Sequence, residues 1–246
     1  QCCLVGSEMC IRDRVKSIIS KKILFWYDNN KRILPWRKNT SKEQKLYFTL
    51  VSEFMLQQTQ VSTVIPYFKR FVQKIPNFKK LSKANDQTLM KLWEGLGYYS
   101  RARNLKKSAI MINDKFGGIL PSNFVDLKSL PGIGDYTSTA IMAIAFNQKF
   151  IPLDGNVERI LKRVLYLRNE KDISKENMQI SKNFFGLSER ASDYAQAIME
   201  LGALVCRPTS PLCEKCPISM NCISYKRKDF SLIKNCLLYT SPSPRD

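Results

Sequence analysis

The chain has 246 residues, with 40 Lys and Arg against 21 Asp and Glu, a net charge of +19 and no histidine. The missing histidine excludes a Ser-His-Asp triad, a Cys-His nucleophile, HExxH zinc chemistry and histidine-containing zinc fingers, so acid–base work falls to carboxylates, Lys, Tyr or Cys. At 44% apolar and 25% charged the composition is that of a globular protein, its excess charge points to a polyanionic partner, and no apolar run is long enough to span a membrane. The expectation is a cytoplasmic protein with no membrane partner.

The two ends read as foreign to the rest. Glu8-Met9-Cys10-Ile11-Arg12-Asp13-Arg14 can be written as codons whose reverse complement, read one base in, encodes Cys-Leu-Leu-Tyr-Thr-Ser, which is Cys236 to Ser241. Both ends thus resemble one sequencing-adapter element translated in opposite directions, and residues 1–14 and 235–246 are expected to be non-native. That leaves 220 residues carrying all of the +19.

Along the chain, Val51, Phe54, Met55, Val61, Ile65 and Phe68 follow helical spacing, predicting a helix over 50–68 with a kink or break at Pro66. Glu53, Gln57 and Gln60 fall on one face of that helix, polar but poor in charge, which marks a site more than a solvated surface. Leu89–Leu96, Ala140–Phe146, Val157–Leu167 and Tyr194–Val205 read as further helices, and no segment has the period-two pattern of a hairpin strand, so the fold class is all-α. Basic clusters, Arg101–Lys107 among them, read individually as solvated faces and only together as a footprint for a polyanion.

Leu130-Pro131-Gly132-Ile133-Gly134-Asp135 lies between two helical stretches. Gly132 and Gly134 permit positive φ and close backbone approach, Asp135 can cap the next helix, and the exposed amides suit a phosphate. In so basic a chain this is a helix-hairpin-helix. Further on, Asp154 in Leu153-Asp154-Gly155-Asn156-Val157 stands directly before a helix, where a cap position and the helix dipole favour the ionised carboxylate. A Glu in an apolar setting would instead hold its proton, and such a split pair is the pairing that cleaves glycosidic bonds. Cys206-x6-Cys213-x2-Cys216-x5-Cys222 packs four thiols into seventeen residues, a metal centre whose spacing leaves zinc and an iron–sulfur cluster both open.

These residues resemble the MutY-type adenine DNA glycosylases of the helix-hairpin-helix glycosylase superfamily, over about Lys21 to Cys222. The matching stretches include Trp26-Tyr27-Asp28, Leu34-Pro35-Trp36-Arg37, Ser52-Glu53 through Gln60-Val61, Gly95-Leu96-Gly97-Tyr98-Tyr99-Ser100-Arg101, the hairpin, Leu153 to Val157 and the cysteine cluster. The resemblance implies excision of adenine mispaired with 8-oxoguanine or guanine in double-stranded DNA by a monomer that flips the base. It makes Glu53 the general acid at adenine N7, Asp154 the carboxylate that stabilises the sugar cation, and Tyr136 and Asn156 the residues that orient the pair. Trp36, Arg37 and Gln196 would line the base pocket, Gln57 and Thr59 belong to the DNA-binding face, Gln58 and Tyr98 would wedge into the duplex, and Gly132 and Gly134 would meet phosphate. The four cysteines would hold a 4Fe-4S cluster, and the hairpin could take a monovalent cation. The domains implied are an N-terminal helix and arm over 15–42, a six-helix barrel over 43–147 with the hairpin motif at about 123–146, and an iron–sulfur subdomain over 148–234.

Tyr136 stands where related lyases carry the Schiff-base lysine, so the expected glycosylase is monofunctional, with weak side lyase activity because Glu158 stands where some members have a trapping lysine. The resemblance implies a further C-terminal domain that recognises 8-oxoguanine, and the adapter-like residues after Cys222 lead us to expect a truncated reading here and not a natural short form. Two alternatives remain open: a thymine or oxidised-pyrimidine glycosylase of the same fold, and a catalytically silent DNA-binding module.

Overall fold

The computed structural model describes residues 18–38, 40–167 and 176–230, without the side chains of 176–180. The adapter-like ends lie outside these residues. The described residues form helices and turns with no strand, as an all-α fold requires. The chain divides into two compact units, one made of residues 1–31 and 149–246, the other of Arg32–Gln148.

The 32–148 unit contains a 3-10 turn at Pro35–Arg37, then α2 (Lys42–Leu56), α3 (Val61–Lys74), α4 (Phe78–Ser82), α5 (Asp86–Trp93), α6 (Ser100–Phe116), α7 (Phe124–Ser129) and α8 (Asp135–Ile144); α1 (residues 18–30) belongs to the other unit. Short polar caps start several of these helices. Ser41 accepts a hydrogen bond from the Gln44 amide at 3.2 Å, Asn77 from Lys80 and Asn85 from Gln87 at 2.8 Å, and Asn123 from Asp126 at 2.9 Å. Helix α2 is the core of the unit. Leu46, Tyr47, Leu50, Val51, Phe54 and Met55 are buried, and α2 packs on α3, α6 and α8.

The single helix predicted over 50–68 is two helices. The break falls at 57–60 and not at Pro66, which lies inside α3. Gln57-Gln58-Thr59-Gln60 offers no apolar side chain to bury, and Gln58 turns the chain with φ +55°. Pro66 is on the exposed face of α3, where the Ser62 carbonyl that its missing N–H leaves open can meet water. The helix predicted over Leu89–Leu96 also ends earlier, at Trp93, because Gly95, Gly97 and Tyr98 all have positive φ.

In the other unit, α1, α9 (Gly155–Leu165), α10 (Glu176–Phe185), α11 (Ala191–Leu204) and α12 (Ile223–Arg227) surround a core that includes Ile19, Ile23, Tyr27, Val157, Ile160, Val164, Phe185, Tyr194, Ile198 and Leu201. Gly202 lets α11 and the start of α9 come together. A Cβ at 202 would lie 2.5 Å from Asn156 Cβ and 3.0 Å from its carbonyl oxygen. Since backbone is one of the colliding groups, Gly202→Ala is expected to destabilise the protein by about 1–3 kcal/mol, read as a lower urea midpoint at unchanged slope.

Candidate active site

Glu53 sits in the last turn of α2 with only 8% of its surface exposed, a carboxyl held in an apolar helix. The turn that follows carries the other polar residues of this region. Gln57 ends α2 and its side-chain amide donates to the Gly132 carbonyl at 3.4 Å, tying the turn to the hairpin, while Gln60 is the N-cap residue of α3. Glu53, Gln57 and Gln60 are therefore not a stripe on one helix. Thr59 is part-buried, and Gln58 and Tyr98 are exposed. Trp36 and Arg37 come from the 3-10 turn, with the Trp36 ring edge-on to Phe68 at 5.3 Å.

The hairpin joins α7 and α8. Gly132 has φ +82°, and a Cβ there would come within 2.8 Å of Phe54 and 3.0 Å of Asn104, so this position needs glycine twice over. Gly134 differs from expectation: its φ is −96° and it is itself the N-cap residue of α8, while Asp135 is the first helical residue and pairs with Lys128 at 2.5 Å. Nothing stands where a Gly134 side chain would be, so the backbone at the start of α8 is open to an approaching group. Tyr136 follows in the first turn, half-buried.

In the other unit Asp154 is the N-cap of α9. One oxygen accepts from the Val157 amide at 2.7 Å and the other from the Asn156 side chain at 2.9 Å. Asn156 Oδ1 in turn accepts from Arg159 at 2.6 Å, and Arg159 Nε donates to the Cys206 carbonyl at 2.7 Å. A polar chain thus runs from the carboxyl to the cysteine loop. Gln196 is buried on α11 and donates to the Ser192 carbonyl at 3.1 Å.

The cap does not leave Asp154 an ordinary acid. Burial pushes its carboxyl above the usual value of 3.8, outweighing the Val157 and Asn156 hydrogen bonds and the Arg159 charge that pull the other way. This reverses the direction that the cap and dipole alone imply. Burial also raises Glu158, whose neighbour Lys162 opposes the shift.

Cys206, Cys213, Cys216 and Cys222 are free thiols that line one cavity with Ile160, Val164, Leu201, Val205 and Ile218. Among the described residues no three Cys, Asp or Glu side chains converge as they would on a single metal ion. Arg163 reaches the same cavity and donates to Cys206 Sγ at 3.2 Å. Burial and the neighbouring thiols push Cys213 and Cys222 up, and Cys216 up to about 12.

Arg101 is the residue that the sequence reading missed. It is 6% exposed, not part of a solvated basic face, and its guanidinium donates to carbonyls at the end of α2 and in the 95–98 loop. No local signal separates it from Arg103 or Lys106 nearby, because what buries it lies some forty residues earlier.

The chain belongs to the HhH-GPD superfamily of base excision DNA repair proteins, whose description matches residues 51–184. It is 42% identical over 218 residues to the adenine DNA glycosylase of Rattus norvegicus, covering 84% of this chain and 42% of that protein. To the adenine DNA glycosylase of Buchnera aphidicola subsp. Schizaphis graminum it is 39% identical over 217 residues, covering 87% of this chain and 61% of that one. The solved structure of a thermostable thymine-DNA glycosylase superposes with a TM-score of 0.76 at 26% identity, covering 87% of this chain and 98% of that one. The MutY-type resemblance and the all-α hairpin fold are borne out by these relatives. The chain spans about two to three fifths of the length of the two curated relatives.

The raised Asp154 carboxyl has a pH signature. The folded protein binds this proton more tightly than the unfolded chain, so the associated stability is complete below the ordinary value of 3.8 and is lost as pH rises through the folded value. Asp154→Asn keeps an N-cap side chain and cannot ionise. The melting temperature of Asp154→Asn minus that of the wild type is expected to increase as pH rises from about 3 to 7, in parallel thermal melts; a flat difference would contradict the shift.

Proposed function

We propose that this chain is a monofunctional DNA glycosylase that removes adenine opposite 8-oxoguanine or guanine from double-stranded DNA. The observation that carries the reading is Glu53, a carboxyl buried at the end of an apolar helix, in a chain whose curated relatives are adenine DNA glycosylases.

A flipped adenine leaves as a poor anion unless it is protonated first. Glu53 gives its proton to adenine N7, the C1′–N9 bond breaks with its electron pair going to the base, and the sugar is left as an oxocarbenium ion. The Asp154 carboxylate balances that cation, and Asn156, the Val157 amide and Arg159 hold the carboxylate in place. Water then adds its oxygen to C1′ and gives up a proton, leaving an abasic site and free adenine. Tyr136 offers no amine for a Schiff base, so the sugar is not cleaved further. Gln57, Gln58, Thr59 and Tyr98 face DNA, with Gln58 and Tyr98 entering the duplex, and the open backbone at Gly134 receives a phosphate. Trp36, Arg37 and Gln196 take the base.

The four cysteines hold a 4Fe-4S cluster in this proposal. Four cysteines lining one cavity supply the thiolates that such a cluster needs, and Arg163 supplies a hydrogen bond to a sulfur. The cluster supplies structural support to its loop and takes no part in breaking the glycosidic bond.

Incubation with a duplex containing A opposite 8-oxoguanine, followed by alkali, is expected to cut the adenine strand. Parallel A:G, T:G and oxidised-pyrimidine duplexes decide among the glycosylase readings, and intact strands throughout with folded protein would leave only a DNA-binding role. Glu53→Gln should reduce the rate by about 10²-fold or more, the scale of a lost general acid. Purified protein should be brown, with iron and acid-labile sulfide in equal amounts; a colourless preparation carrying zinc would overturn the cluster.

A further inference from the structure

Two residues with exposed side chains, Gln58 and Tyr98, have φ of +55° and +48°. A residue with a Cβ is unfavourable in this left-handed region and persists there only when its surroundings hold it. Gln58 follows the end of α2 and Tyr98 precedes α6, forty residues later, yet one side chain grips the backbone just before each. Arg101 Nη1 donates to the Gln57 carbonyl, and also to Met55 O at 2.9 Å, Phe54 O at 3.4 Å and Thr59 Oγ1 at 3.0 Å. Its Nη2 donates to Gly97 O at 3.1 Å and Leu96 O at 3.0 Å. The guanidinium lies 5.4 Å from the Tyr98 ring centroid and 5.6 Å from that of Trp93, whose indole N–H also donates to Gly97 O at 3.2 Å.

An arginine needed only to terminate α2 would stop at the Phe54 and Met55 carbonyls. This one reaches past them to the peptide preceding each left-handed residue, and its planar fork sets the spacing between the two turns. We infer that Arg101 is a positioning residue that holds Gln58 and Tyr98 together in the conformation that enters DNA. Arg101 touches neither base nor sugar in this account, and acts through the two exposed side chains. The inference rests on the reading that Gln58 and Tyr98 enter the duplex.

The test uses the full chain and a duplex with 2-aminopurine beside the target adenine, whose fluorescence rises on extrusion. Single-turnover excision, duplex affinity and urea midpoints are measured alongside. Arg101→Lys keeps the charge and loses the fork. It is expected to lower the extrusion amplitude and the excision rate by about tenfold or more, the scale of a small misplacement, with duplex affinity and its salt dependence nearly unchanged. In a Gln58→Ala/Tyr98→Ala background the same change should cost almost nothing further in extrusion, since residues acting as one unit are not additive. Equal losses in both backgrounds, or loss of affinity in step with the urea midpoint, would overturn the inference. If Gln58→Ala/Tyr98→Ala itself extrudes the base normally, the DNA-entry reading falls and the inference with it. Impaired extrusion in that pair with an unimpaired Arg101→Lys overturns the inference alone. Should Arg101→Lys not fold, Thr59→Val removes one acceptor of the same guanidinium. Extrusion reduced in the wild-type background but not further in the Gln58→Ala/Tyr98→Ala background supports the inference, and extrusion unchanged, or reduced equally in both, overturns it.

Discussion

A helix that ends inside a protein leaves carbonyls that must find donors, and this chain meets that requirement with buried guanidinium groups. Arg101 does so at the end of α2. Arg159 donates to the Gly202 carbonyl at 2.8 Å and to Cys206 at the end of α11, and Arg163, 1% exposed, donates to Arg207 and Pro208 in the same loop. Each arginine is planar, always charged and offers several donors in a fixed fork, so one side chain can order a whole turn. Removing such a partner would leave several carbonyls unsatisfied at once, which costs far more than a surface ion pair contributes.

The consequence is that the turns carrying the proposed chemistry are anchored from inside. The 57–60 turn is held by Arg101 and tied to the hairpin by Gln57. The cysteine loop is held by Arg159 and Arg163, and Arg159 also reaches the Asp154 carboxyl through Asn156. By contrast, many ion pairs of this basic chain lie on the surface, Lys106–Asp86 and Lys149–Glu189 among them, where solvent leaves them little to contribute. The positive charge is thus divided in place: a few arginines build the interior, while others, Arg190 among them, make their ion pairs nearer the surface.

Much of the candidate site was legible in advance, and for a common reason. The hairpin glycine at 132, the Asp154 cap and the Cys206–Cys222 spacing each depend on residues a few positions apart, so their chemistry is written locally. Arg101 was unreadable because it lies in a basic run that resembles any solvated face. The Glu53–Gln57–Gln60 stripe was misread because apolar periodicity continues through 61–68 and hides the turn between α2 and α3. Asp135 was given the cap that belongs to Gly134, since both residue types start helices and only the backbone angles tell them apart.

The sequence by itself determined that the protein is helical, basic and free of histidine, that a glycine hairpin joins two of its helices, and that four cysteines share one short loop. These follow from composition and short-range spacing, which no tertiary contact can alter. Only the tertiary structure decided where α2 stops, which arginines lie inside, and that Asp154 is harder to ionise than a capping aspartate should be. Those outcomes depend on burial, and burial is set by segments that the chain brings together from far apart.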